Sequence, residues 1–270
     1  MDKPIKMVVC DLDGTLLYST KKVTERTKQA IRDLRKQGIL FGVCSGRSAV
    51  ALKTMLKVWG IEQDVDFVLG FNGGMFWDPK TDEMEEWLKL DGKSIPEMAS
   101  TFPRGKFTFA EYKGKAIRAT QWNLISAQMG RRNRLDFEKV PLEELYENTL
   151  KFMAIGMPWN VSRYLKENSG SHRNWRMFRS GPFLIEMIHP QLSKLEGIKK
   201  IAERYKINTD EIMTFGNDNN DKEMLEGCVG VSMGNALPEI KEAARYVTGS
   251  NREDGVARFL EKHVLQKEGV

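Results

Sequence analysis

Short apolar runs and amphipathic stretches alternate through the first third of the chain. Residues 5–10 form an apolar, β-branched run that ends in Asp11-Leu12-Asp13-Gly14-Thr15. Val23, Ala30, Ile31 and Leu34 mark one face of a helix that stops at Gly38, a residue suited to a helix C-terminus. Residues 39–44 predict a second strand, which ends in Ser45-Gly46-Arg47. The helix after it carries Leu52, Met55, Leu56 and Trp59 on one side. Residues 67–71 predict a third strand, ending in Asn72-Gly73-Gly74. Continuous apolar strands separated by helices predict a parallel sheet buried on both faces.

The texture changes between about residues 77 and 188. Segments 107–112, 150–156, 174–179 and 183–188 read as strands of mixed exposure, and 94–102, 142–147 and 161–168 as helices. The strand–helix alternation returns after Pro190. A helix over 195–205 turns Leu195, Ile198, Ile201, Ala202 and Tyr205 inward, with Ser193 and Glu196 spaced as a capping box. A strand at 212–215 ends in Gly216-Asn217-Asp218-Asn219-Asn220-Asp221, another at 229–233 ends in Gly234-Asn235-Ala236, and a last helix covers 254–264. The fold class is α/β: a doubly wound parallel-sheet core split by one large α+β insertion.

Composition adds boundaries. Apolar residues make up 41% and charged residues 29% of the 270, as in ordinary globular proteins. No apolar run approaches the ~20 residues that span a bilayer, and the first residues lack the pattern of a signal peptide. A cytoplasmic protein without a membrane partner is expected. The net charge of +5 suits an anionic substrate and falls far short of a dedicated nucleic-acid binder. The densest basic stretch, Arg131-Arg132-Asn133-Arg134, has no interleaved aromatic residues for base stacking. Cys10, Cys44 and Cys228 lack metal-type spacing and read as buried thiols. Nothing in the sequence sets the oligomeric state.

In an open parallel sheet the site lies beyond the carboxyl ends of the strands. Asp11 and Asp13, Ser45, Asn72 and the run Asn217 to Asp221 all fall there. Each alone is an ordinary polar loop residue; several such clusters at successive strand ends are hard to explain that way. Two close carboxylates need a cation or a shared proton. Magnesium, a hard ion, commonly joins carboxylates to substrate phosphate. With a metal holding it ionised, Asp11 can act as a nucleophile, while Asp13 protonates the leaving alcohol and later deprotonates water. Gly14 allows a sharp turn, and amides near Thr15 can face an anion. Ser45 and its neighbouring amides can donate to phosphoryl oxygens. Lys194 sits beside the helix N-cap Ser193, where a cation is disfavoured unless an anion accompanies it.

These residues resemble the motifs of the haloacid dehalogenase-like phosphohydrolases, and most closely their Cof-type sugar-phosphatase branch. Asp11-Leu12-Asp13-Gly14-Thr15 is similar to the nucleophile motif, Ser45-Gly46-Arg47 to the second, Lys194 to the third, and Gly216 to Asp221 to the fourth. The runs 230–236 and 247–257 are similar to that branch as well. The resemblance implies a Rossmann-like catalytic core of 1–78 and 189–270. An α+β cap of 79–188 would set substrate specificity. It implies a magnesium-dependent phosphatase that acts on a small phosphorylated metabolite through an aspartyl-phosphate on Asp11. Asp13, Ser45 and Lys194 complete the catalytic set. Gly14, Thr15, Gly46, Arg47, Asn72 and Asn220 would contact phosphate or substrate. Asp11, the carbonyl of Asp13, Asn217 and Asp221 would serve the metal. Asn217 stands where the family usually has an aspartate, so Asp218 is the alternative ligand there. A phosphomutase, or a non-catalytic phospholigand- or RNA-binding protein on the same fold, are the other readings; a turnover assay separates them.

Overall fold

The computed structural model describes residues 3–18, 22–168 and 172–266. The chain begins with β1 (Met7–Cys10), α1 (Glu25–Lys36), β2 (Leu40–Cys44), α2 (Ala49–Trp59), β3 (Phe67–Gly70), β4 (Met75–Trp77) and β5 (Met84–Glu86). It continues through α3 (Ile95–Ser100), β6 (Phe107–Lys113), β7 (Ala116–Ala119), α4 (Leu124–Asn133), β8 (Asp136–Lys139), β9 (Phe152–Gly156), α5 (Pro158–Glu167), β10 (Arg176–Gly181) and β11 (Leu184–Ile188). The last stretch holds α6 (Lys194–Tyr205), β12 (Ile212–Gly216), α7 (Lys222–Gly227), β13 (Val229–Ser232), α8 (Pro238–Ala243), β14 (Tyr246–Val247) and α9 (Gly255–His263). The chain divides into two compact units, one formed by 1–85 with 193–270 and the other by 86–192.

The first unit is built on a sheet in the order β14-β13-β12-β1-β2-β3-β4-β5. Pairing is parallel from β14 to β3 and antiparallel between β3 and β4. β1 lies inside it, and all four of its residues are buried, as an apolar run covered on both faces requires. α1 packs against α9 and α6 against α7. Local signals place the helices: Thr24 and Ser48 cap α1 and α2 by accepting from Thr27 N and Ala51 N, and Gly60 closes α2 in the left-handed conformation.

The second unit holds a six-stranded sheet in the order β10-β11-β9-β6-β7-β8, antiparallel except for β7 with β8. Successive residues of β9 divide between two apolar clusters, as strand alternation demands. Phe152 and Ala154 join Phe102, Phe107 and Tyr164; Met153 and Ile155 join Ala110 and Ile117, with Ile125 and Met129 of α4 against them.

Several local expectations shift. Residues 142–147 form a 3-10 turn over Leu142–Leu145, because Pro141 starts it and apolar residues three apart suit that pitch equally. The helix expected from 195 begins at Lys194, and Ser193 does cap it through Glu196 N; the Glu196 carboxylate turns to Lys199 at 2.7 Å. Arg131 is exposed within α4 and Arg134 ends it in the left-handed conformation, while the side chain of Arg132 lies outside the described residues. Cys10 and Cys44 are buried and Cys228 is half-buried; burial pushes all three thiols up, Cys44 and Cys228 to about 12. Among the described residues no helix is long and apolar enough to cross a membrane.

Candidate active site

The carboxyl ends of β1, β2, β3 and β12 gather the polar loops of the first unit. β1 hands the chain to Asp11, whose amide donates to Phe215 O of β12 at 2.9 Å. The loop then turns at Gly14, with φ of +87°. A Cβ there would also lie 2.7 Å from the Asn217 side chain, so both conformation and space require glycine. Two asparagines brace this loop from the far end of the chain. Asn235 Nδ2 donates to Gly14 O at 2.9 Å, and Asn251 Nδ2 donates to Leu17 O at 2.8 Å. Both lie in the runs that resemble the family, but spacing alone gave them no role.

Lys194 is the centre of the cluster. Its ammonium donates to Asp11 Oδ1 at 2.6 Å and to Asp221 Oδ1 at 2.5 Å. The other Asp221 oxygen accepts from the amides of Asn217 at 2.8 Å and Asp218 at 3.0 Å. Asp221 therefore orients both the ammonium and the loop, with both of its oxygens engaged. Lys194 and Asp221 are wholly buried, whereas Asp11 keeps 7% of its surface open. Of the three, only Asp11 can meet a substrate.

The approach of α6 depends on a backbone contact. A Cβ at Gly197 would lie 2.5 Å from Gly73 Cα, and one at Gly73, where φ is +96°, 2.6 Å from Ser193 O. The two glycines let the first turn of α6 rest directly on the loop after β3. Asn72 in that loop takes the left-handed conformation. Its amide donates to Ser45 O at 2.9 Å, and its side-chain oxygen accepts from Asn220 Nδ2 at 3.1 Å. Asn72 thus joins the ends of β2, β3 and β12. Ser45 is buried, its amide donates to Leu69 O, and its hydroxyl oxygen accepts from Arg47 N at 3.3 Å; its bonds tie it to Asn72 and Arg47 rather than to Asp11 or Lys194. Arg47 donates to both carboxylate oxygens of Asp13.

The electrostatics follow from burial. Asp11 is pushed up to about 7, first by loss of water, with Asp221 and Asp13 acting in the same direction and Lys194 against it. Burial works against the Lys194 charge, but Asp11 and Asp221 outweigh it and hold the ammonium protonated. Three carboxylates thus gather around Lys194 and Arg47, and the burial of Asp11 sets part of the balance between them.

Among the described residues no three His, Cys, Asp or Glu side chains form a metal cage. The donors beside the loop are instead mixed oxygens: the Asp11 carboxylate, the Asp13 carbonyl and Asn217 Oδ1, which accepts from Thr15 Oγ1 at 2.8 Å. Such hard donors fit magnesium in kind. Asp218 is exposed and its Oδ1 accepts from Asn219 N at 2.7 Å, so Asn217 is the residue that reaches the Asp11 loop.

A family model described as haloacid dehalogenase-like hydrolase matches residues 8–260. The Bacillus subtilis (strain 168) protein YxeH is 30% identical over 272 residues, covering 97% of this chain and 99% of its own. A second protein of that organism, 5-amino-6-(5-phospho-D-ribitylamino)uracil phosphatase YitU, is 27% identical over 275 residues, covering 95% and 97%. Among solved structures, the subclass IIB sugar phosphatase BT4131 superposes with a TM-score of 0.82 at 22% identity, covering 96% of this chain and 98% of that one.

Proposed function

The chain belongs to the haloacid dehalogenase-like hydrolases and is a phosphoric monoester hydrolase, and on that footing we propose how its residues carry the reaction. It is a magnesium-dependent phosphatase of small phosphate monoesters, acting in the cytoplasm. One observation carries this reading: the buried Lys194 ammonium bridges Asp11 and Asp221 and leaves Asp11 as the partly open carboxylate. An Asp11 oxygen attacks phosphorus, the bond from phosphorus to the ester oxygen breaks, and the departing alkoxide takes a proton from Asp13. In the second half, water gives a proton to Asp13 and attacks the same phosphorus, breaking the acyl-phosphate bond and releasing inorganic phosphate. Lys194 orients Asp11 throughout and offsets its charge. Ser45, Gly46, Thr15 and Asn220 would border the phosphoryl group. Asp11, the Asp13 carbonyl and Asn217 would hold magnesium, with Asp221 fixing the loop that presents Asn217. Bound there, the ion would neutralise phosphoryl oxygens and hold Asp11 ionised.

The inserted unit, 79–188 in the sequence reading, is proposed to select the substrate. A sugar-type phosphate is the favoured class, since one relative is named for a ribityl phosphate. A panel of phosphate monoesters assayed with magnesium tests the activity. Asp11→Asn should bring turnover to background while the fold persists, and wild-type protein should show a mass increase of one phosphoryl group on Asp11 when quenched during turnover. Asp13→Asn should slow hydrolysis by ~10²–10⁴-fold, less for esters with good leaving groups. Near-normal turnover by Asp11→Asn would overturn the mechanism.

A further inference from the structure

The guanidinium of Arg47 is engaged by a carboxylate of the catalytic loop. Nε donates to Asp13 Oδ2 at 3.0 Å and Nη2 to Oδ1 at 3.1 Å, a two-pronged pair. Nη1 lies 3.5 Å from Met55 Sδ of α2. The fork that could grip a phosphate is therefore occupied, and its back rests on a helix. The two partners differ in how firmly they are held. The Arg47 side chain is 15% exposed and that of Asp13 39%. The Arg47 carbonyl accepts from Phe71 N at 2.8 Å, its amide donates to Ser45 Oγ, and Ser48 caps α2 directly after it. Asp13 lies next to Gly14 in a turn. A well-anchored planar cation thus grips a more exposed carboxylate on a loop.

We propose that Arg47 is a positioning residue for Asp13, acting on proton transfer through that carboxylate and not by binding the substrate's phosphate. This rests on the phosphatase reading above. A carboxylate has about four lone-pair sites; the fork takes two and fixes the plane in which the group exchanges a proton with the leaving oxygen or water. Without the fork, Asp13 loses the contact that sets its plane, and misplacement of a catalytic group by ~1 Å costs up to ~10²-fold.

A double-mutant cycle reads this directly. Arg47→Gln should lower kcat by ~10–100-fold for an alkyl phosphate and less for an aryl phosphate with a good leaving group, with KM nearly unchanged. In the Asp13→Asn background the same substitution should cost less than about twofold. Arg47→Lys should restore only part of the loss, because an ammonium cannot form the fork. Thermal melts by circular dichroism separate these effects from misfolding. An undiminished loss from Arg47→Gln in the Asp13→Asn background, with a raised KM, would mean that Arg47 grips substrate and would overturn the proposal. Wild-type protein inactive on every ester would remove the phosphatase reading itself, and this role with it.

Discussion

Both units bury a cation among carboxylates, and they do so differently. In the second unit, Arg118 donates to Glu111 Oε1 at 3.0 Å, to Glu144 Oε2 at 2.8 Å and to Glu144 O at 3.2 Å. Burial raises Glu111, while Arg118 and Thr149 oppose it. Close by in sequence, Lys151 pairs with Glu186 at 2.7 Å, both of them buried. Arg118 also reaches partners at the surface, since Glu144 is half exposed. In the first unit Lys194 has no exposed surface, and its carboxylates exceed the cations around it. The network of Arg118 ties strands to a turn. The cluster of Lys194 keeps one carboxylate, Asp11, partly open. Carboxylates outnumber the cation in both places, but those around Arg118 include Glu138 and Glu144, exposed enough for water to screen them, whereas those around Lys194 are buried.

The sharpest way to break the comparison is to remove each cation. Lys194→Met should abolish turnover and destabilise the fold by ~3–5 kcal/mol, as expected for uncompensated buried carboxylates. Arg118→Met should cost a similar or smaller amount of stability and leave kcat per folded molecule unchanged. Urea titration with activity assays on the folded fraction checks both. A loss of kcat in Arg118→Met comparable to that in Lys194→Met would erase the distinction.

A smaller effect should appear in the pH dependence of stability without metal. Asp11 titrates at about 7 in the fold and at ~3.9 when unfolded. The folded state therefore binds more protons between these values, and stability from this group falls as pH rises from about 4 to 7. Above that range the buried ionised carboxylate is a liability of at most a few kcal/mol. Melting temperatures measured in chelator should show this slope for wild type and not for Asp11→Asn. Parallel curves would show that Lys194 already satisfies Asp11. The smallest effect concerns Asn217. Asn217→Asp restores a charge beside the loop and should lower the magnesium concentration for half-saturation several-fold, read by calorimetry as well as by activity. No change would place the third protein ligand elsewhere.

Much of the core was legible because β1, β2, β3 and β12 are apolar but for Thr214 and end in distinctive polar loops. The buried position of Lys194 was foreshadowed by its conflict with the helix N-terminus. The edge strands β5 and β8 were not legible, although β10, also an edge, was. β5 is exposed at every position and β8 at three of four, so neither carries an apolar alternation. The pairing of Arg47 with Asp13 joins residues 34 apart in sequence, with no local pattern to announce it. The Gly73–Gly197 contact had only the glycines themselves as a signal, which a turn and a helix surface would explain equally well. Long-range partners of this kind follow from topology, which a local reading does not contain.

The placement of β1 also governs when the molecule can assemble. Met7 pairs with Leu40 on one side and with Ile212 on the other. During synthesis the first edge is filled early, but the second waits until the whole insertion and β12 have left the ribosome. Through that interval the nascent sheet carries a bare, wholly apolar edge, the kind that recruits foreign strands. Asp11 likewise waits for an ammonium 183 residues downstream. The insertion therefore sets a period of vulnerability in biogenesis, and truncation anywhere before residue 212 should yield a chain that aggregates rather than a smaller stable domain.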